Sequence, residues 1–455
     1  MKKEVSLGLD VGTSAVKCTA VELSTGAVAG YRRLEYPRND LDTGIVPVSM
    51  YVDVVKQLLD GLTQEFTVRS LAITTAMYSV IGIKDEVRYV YQWNCPWERN
   101  LEAEREAHGL LDGSGTYMDI LYPVYKLMTA KVSGDTSFKP YGFKECLIES
   151  LIGERVVDFG TGSASGLLDI RKKDWNRLLM DKLGFSDEEL PRLEYHNVGV
   201  GETTVNGQKI LVVPGLGDGI SASYAGKDSS EVAANLGTTM AARELSTTVR
   251  HNAADRLWTL IVDETRYVNG AISSNGGSVL NWARKANWPI DEVRVQQGGE
   301  RFFPWLHGER TPFWSADLRG TLTGMDMRTD NPSLSSAILK GVAFTLSRMI
   351  NGIVRARGDS PNVVVAGGGV HISELIRVIQ GSVDVPLTIV SSFDYLASEG
   401  AALSAGEALD IPPTDFKHEV ERVLEPTGEF RGDYDAWIVE GNTIASAVYD
   451  VDAPV

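Results

Sequence analysis

Asp10 ends a β-forming run at a glycine turn, in Leu7-Gly8-Leu9-Asp10-Val11-Gly12-Thr13-Ser14-Ala15-Val16-Lys17. A glycine at such a turn lets backbone N–H groups approach phosphate oxygens, and Thr13 and Ser14 add hydroxyl donors. A carboxylate at the strand end does not bind phosphate, but it holds Mg²⁺ through water. Lys17 supplies a compensating point charge. Taken alone, the segment reads equally well as a β-hairpin with a capping Asp. The same pattern returns at Ala234-Asn235-Leu236-Gly237-Thr238-Thr239-Met240. Two such turns, one opening each half of the chain, predict two related domains facing each other across one nucleotide.

Asp218 lies in Pro214-Gly215-Leu216-Gly217-Asp218-Gly219, after the apolar strand predicted over 209–213. A carboxylate between glycines at a strand end suits acceptance of a hydroxyl proton during phosphoryl transfer. The competing reading is an N-cap for the helix predicted over 220–225. Gly367-Gly368-Gly369 follows another all-apolar strand. Three glycines cost conformational entropy, so either a ligand such as adenosine approaches the backbone there or the connection is tight. No GxxxxGK[ST] sequence occurs, which excludes a Walker-type phosphate loop.

The elements that must position these residues repeat. Val5 to Leu9, Val16 to Leu23 and Val28 to Tyr36 predict an antiparallel meander. Ser49 is expected to cap an amphipathic helix carrying Val54, Val55, Leu58, Leu59 and Leu62. Strands follow near 71–74, 80–83 and 87–91, and residues 98–185 read as mostly helical and peripheral. A second meander begins at Val232, with helices at 278–287 and 333–357 and a strand at 362–366. The plan is α/β, in two domains of residues 1–227 and 228–455, with the boundary near Gly226-Lys227.

The chain has 455 residues, 43% apolar and 23% charged, with a net charge of -17. That length accommodates two cores, and the acidic balance argues against a nucleic-acid surface. Cys18, Cys95 and Cys146 form no CxxC and read as reduced core residues. Asp10 interrupts the first apolar run, so no signal peptide is expected, and no uncharged run approaches the roughly 18 residues of a membrane span. The expected location is the cytoplasm.

In order, these motifs resemble the FGGY carbohydrate kinases of the actin/Hsp70/sugar-kinase superfamily, over nearly the whole chain. Besides both turns, the Asp218 loop and the triple glycine, the similarity rests on Tyr122-Pro123-Val124-Tyr125-Lys126-Leu127 and on residues 157–169. It rests also on Gly308-Glu309-Arg310-Thr311-Pro312-Phe313-Trp314. Thr75-Ala76-Met77-Tyr78-Ser79 and Ser274-Asn275-Gly276-Gly277 resemble gluconate kinases in particular. The resemblance implies two ribonuclease-H-like (actin-like ATPase) domains with a nucleotide cleft between them. The substrate and first phosphate loop would sit in the N-terminal domain, and adenosine and the second loop in the C-terminal one.

It implies ATP-dependent phosphorylation of a gluconate- or xylulose-like small sugar, sugar acid or polyol, with Asp218 as base and Asp10 as the Mg²⁺ residue. Gly12, Thr13, Ser14, Lys17, Gly237, Thr238, Thr239, Arg310, Gly368 and Gly369 would serve ATP, and Met77, Tyr78, Trp93 and Asp218 the substrate. ATP and Mg²⁺ are the implied cofactors. No nucleic-acid or membrane partner is implied, and a homodimer is possible, since homodimers are common in that family.

Tyr78 stands where the family usually has His. Trp93-Asn94-Cys95-Pro96-Trp97 replaces a Trp-x-Asp-x-Arg pattern, removing a carboxylate and a guanidinium from the expected pocket. Aromatic residues 78, 93 and 97 then either stack on a sugar or pack as core. The same departures leave a second reading open, a catalytically weak nucleotide- or sugar-binding regulatory protein on this scaffold.

Overall fold

The computed structural model describes residues 2–37, 43–226, 231–251, 255–390, 395–411, 416 and 420–451. The chain forms two compact units. The first comprises Met1–Lys227, Leu260–Val268 and Asp394–Phe416; the second comprises Asp228–Thr259, Asn269–Phe393 and Lys417–Val455. Lys227 of the expected boundary lies outside the described residues.

In the first unit Glu4–Val11, Ala15–Glu22 and Val28–Glu35 form the expected antiparallel meander. Alternation places Val5, Leu7, Leu9 and Val11 in the core, because successive strand side chains point to opposite faces. Thr67–Thr75 pairs parallel with Glu4–Val11, and Gln208–Val213 pairs parallel with Thr67–Thr75. Gly201–Val205 completes the six-stranded sheet. Three adjacent parallel strands therefore end on one side of the sheet, at Val11, Thr75 and Val213.

Helix Val48–Glu65 buries Val54, Val55, Leu58, Leu59 and Leu62 on one stripe. It starts at Val48 after Pro47, with no side-chain cap, so Ser49 lies inside the first turn rather than at the cap. The segment expected to be peripheral is not wholly so. Helix Phe143–Ile152 sends Phe143, Cys146, Leu147 and Ile148 into the core, which its lysine and two glutamates obscured in sequence.

Helix Leu396–Glu407 covers the sheet of the first unit from far along the chain. A Cβ at Gly8 would stand 2.0 Å from the Ser398 carbonyl oxygen and 2.2 Å from the Ala402 nitrogen. Glycine at that position is what lets helix and strand meet backbone to backbone. Ser70 Oγ donates to the Ala405 carbonyl at 2.8 Å, and Thr19 and Ser398 hydroxyls lie 2.7 Å apart.

The second unit repeats the plan. Glu231–Leu236 pairs antiparallel with Met240–Ser246 and parallel with Asn362–Ala366, which pairs parallel with Leu387–Val390. Its separate core centres on helix Asn331–Arg357, buried nearly all round. Among the described residues this helix alone is long and apolar enough to cross a membrane, and 89% of its apolar window is buried inside the protein. Cys18, Cys95 and Cys146 are free and buried.

Candidate functional site

The three parallel strand ends of the first unit converge three of the expected residues. Asp10 is opposite Thr74 in the parallel register and opposite Lys17 in the antiparallel one. Burial chiefly, and the charge of Asp218 next, push the Asp10 carboxyl up to about 7, while Lys17 pulls it down. The two carboxylates thus sense one another.

Gly217, directly before Asp218, has Met77 pressed on it. A Cβ there would stand 2.6 Å from Met77 Sδ and 3.5 Å from Thr161 Oγ1. Gly215, with φ +65°, lies on the backbone of Ile73 in the central strand. Asp218 itself begins helix Asp218–Gly226 and its Oδ1 accepts the Gly219 N–H at 2.7 Å. Gly12 to Ser14 form the adjoining turn, closed by Gly12 N–H on the Ala15 carbonyl at 3.1 Å. The Tyr36 hydroxyl donates to the Gly12 carbonyl at 3.1 Å.

Tyr78 holds a left-handed backbone, φ +71°, which is strained for an aromatic residue. Its carbonyl accepts the buried Lys126 ammonium at 2.8 Å, and the same ammonium reaches the Gln92 carbonyl at 3.4 Å. Lys126 therefore ties the 75–79 segment to the turn that carries Trp93. Burial lowers its pKa to about 8. Trp97 packs edge-on against Tyr91 and Phe138, so it serves an aromatic cluster. Cys95 is buried.

A cavity with about 460 Å³ of space, its open mouth included, adjoins Met77 and Tyr78. It is lined also by Lys139, Lys144, Glu145 and Thr161, of which the sequence reading had named none as site residues. Lys144 is fully buried and pairs with the buried Asp158. Its ammonium also donates to the Gly215 carbonyl at 3.0 Å and to Thr161 Oγ1 at 3.3 Å. Asp158 caps helix Phe159–Ala164 through the Thr161 N–H at 2.8 Å. Glu145 is 4% exposed, and burial pushes it up to about 7. The sequence signal was the Lys-Glu pair on a helix face that is otherwise apolar.

In the second unit, Gly237, Thr238 and Thr239 form the turn between Glu231–Leu236 and Met240–Ser246. The Gly277 N–H donates to the Gly237 carbonyl at 2.8 Å and the Ser278 N–H to the Thr238 carbonyl at 3.2 Å. Gly367, φ +107°, lies against the Leu236 carbonyl, and a Cβ at Gly369 would meet Leu236 Cγ at 2.4 Å. The triple glycine and the second turn are thereby brought together. A Cβ at exposed Gly368 would meet nothing within 4 Å, so no protein atom requires glycine there. Arg310 is buried in a neighbouring loop. Asn275 braces that loop, donating to the Gly308 carbonyl at 2.7 Å and accepting the His307 N–H at 3.1 Å.

Residues 5–237 match the N-terminal domain model of the FGGY family of carbohydrate kinases, and residues 218–409 match its C-terminal domain model. The chain is 23% identical to a gluconokinase of Bacillus subtilis (strain 168) over 436 residues, 85% of each chain. It is 21% identical to a xylulose kinase of Staphylococcus xylosus, over 82% of this chain and 84% of that one. A crystal structure of gluconate kinase from Lactobacillus acidophilus superposes with a TM-score of 0.83 at 21% identity, covering 99% of this chain and 100% of that one. The fold is that of the actin-like ATPase type, and the chain belongs to the FGGY family of carbohydrate kinases.

Proposed function

We propose that this kinase transfers the γ-phosphoryl group of ATP to a hydroxyl of a small sugar, sugar acid or polyol, gluconate- or xylulose-like, with Asp218 as general base. One observation carries the reading. Asp10, among the last turn-side residues of one strand, and the Met77-Tyr78 segment and the Asp218 loop, just beyond two others, sit at the ends of three adjacent parallel strands, where open α/β sheets bind their ligands.

The Asp218 carboxylate accepts the hydroxyl proton as the substrate oxygen bonds to phosphorus and the bond from phosphorus to the ADP oxygen breaks. Met77 and Tyr78, the latter fixed by Lys126, hold the acceptor, and Trp93 borders it. Gly12, Thr13, Ser14 and Lys17 serve the phosphates. In the second unit Gly237, Thr238, Thr239 and Arg310 serve them too, and Gly368 and Gly369 take the adenosine side.

Asp10, a buried carboxylate that senses the charge of Asp218, is an oxygen donor suited to a hard divalent cation. No group of three His, Cys, Asp or Glu residues occurs among the described residues to cage one, so phosphate oxygens and water would complete its shell. Mg²⁺, when bound by Asp10, supplies charge neutralisation at the transferring group.

Sugar-dependent ADP release, scored over a panel of sugars, sugar acids and polyols, tests the reading. Turnover that is lost in Asp218→Ala supports it; an unchanged rate in that variant refutes the base.

A further inference from the structure

We propose that Lys144 is a positioning residue for the phosphoryl transfer, holding the turn that aims Asp218 through a hydrogen bond to the Gly215 carbonyl. The inference rests on the Asp218 reading and deepens it. Asp218 follows strand Gln208–Val213 by the turn Pro214-Gly215-Leu216-Gly217, and a general base acts only where its oxygen meets the proton it takes.

That turn is gripped along its length. The Gly215 N–H donates to the His196 carbonyl at 3.0 Å, and the Gly215 carbonyl accepts Lys144 Nζ at 3.0 Å. A left-handed φ of +65° lays Gly215 on the Ile73 backbone, where a Cβ would stand 2.6 Å from the carbonyl oxygen. Leu216 is buried, and Gly217 lies against Met77 while its carbonyl accepts the Ser221 N–H at 2.8 Å. Of the hydrogen bonds named, only that from Lys144 comes from a side chain. Lys144 is itself fixed: it pairs with buried Asp158 and donates to Thr161 Oγ1 at 3.3 Å. Burial lowers its pKa, the Asp158 charge chiefly opposes that, and Asp218 is near enough to add to the opposition. A buried ion pair is weak evidence for stability, because desolvation offsets its attraction. Aligning the base gives this pair a role that bracing the core does not.

Three variants separate alignment from bracing. Lys144→Met removes the donor and strands Asp158. Lys144→Met/Asp158→Asn removes the donor and strands no charge, and the Asn oxygen still caps at Thr161. Asp158→Asn keeps the donor and strands Lys144. The double variant should melt closest to wild type, since replacing both partners of a buried pair is milder than removing one. Its kcat with D-gluconate and D-xylulose should nonetheless fall about 10²-fold, as for a misplacement of roughly 1 Å, with KM for ATP within about twofold. Asp158→Asn, though less stable, should keep kcat within about threefold. Adding Asp218→Asn to the double variant should leave it within about threefold of Asp218→Asn alone, because alignment no longer matters once the base is gone. Amide exchange over residues 214–221 should run about tenfold faster in the double variant than in wild type, and it decides the matter if neither acceptor is turned over. Wild-type kcat or exchange in the double variant, or turnover that follows melting temperature across the set, overturns the inference. Asp218→Asn separates the two readings. Lost turnover there beside a fully active double variant removes only the role of Lys144; full turnover there removes the base and this role with it.

Discussion

Asp10 carries a cost of burial. Its folded pKa of about 7 lies above the ordinary 3.8, so the folded state holds a proton that the unfolded chain releases between those values. Stability from this group is therefore lost as pH rises from about 4 to about 7 and stays lost above that. In EDTA, Asp10→Asn should melt higher than wild type at pH 7.5, and the difference should vanish near pH 4. Added Mg²⁺ should raise the wild-type melting temperature and leave that of Asp10→Asn unmoved. Equal melting curves at both pH values would contradict the assignment. Asp218 answers to activity instead: Asp218→Asn should lower kcat by about 10²–10⁴, the usual share of a general base, with the fold intact by circular dichroism.

At the scale of elements, Lys144 joins helix Phe143–Ile152, the cap of helix Phe159–Ala164 and the carbonyl of Gly215. Lys144→Met strands the Asp158 charge without its partner. Removing one partner of a buried pair costs about 3–5 kcal/mol, so the urea midpoint should fall accordingly. A loss below about 1 kcal/mol would mean that the pair contributes little. Gly8→Ala tests the contact between strand Glu4–Val11 and helix Leu396–Glu407. The added Cβ meets backbone atoms, which cannot rotate away, so destabilisation should reach or exceed the roughly 1–3 kcal/mol of ordinary overpacking. Gly400→Ala, whose Cβ would stand 2.0 Å from the Ser221 carbonyl, should behave alike.

For the whole molecule, each unit is assembled from separated stretches of chain. A fragment of residues 1–227 lacks helix Leu396–Glu407, which covers Ala72 and Val213 and supplies the partners of Ser70 and Thr19. It also lacks Ser404, 2.8 Å from His196 Nδ1, and Glu407, which accepts the Tyr224 hydroxyl at 2.7 Å. That fragment should bind a hydrophobic dye and lack a cooperative melt. A sharp transition in the isolated fragment would show that the late helix is dispensable.

The sequence determined the repeated glycine turns, the strand and helix order, the triple glycine and the family, because these are local patterns of alternation, period and turn chemistry. It singled out Asp10 and Asp218 as candidates by their turns, and Met77 and Tyr78 by the resemblance of residues 75–79 to gluconate kinases. Tertiary structure alone decided that Lys144 and Glu145 line the first unit's cavity, that Asp158 pairs with Lys144, that Trp97 joins an aromatic cluster, and that residues 394–416 belong with the first unit. Those facts depend on which distant segments pack together, and a charged residue looks the same in sequence whether solvent or a buried partner receives it.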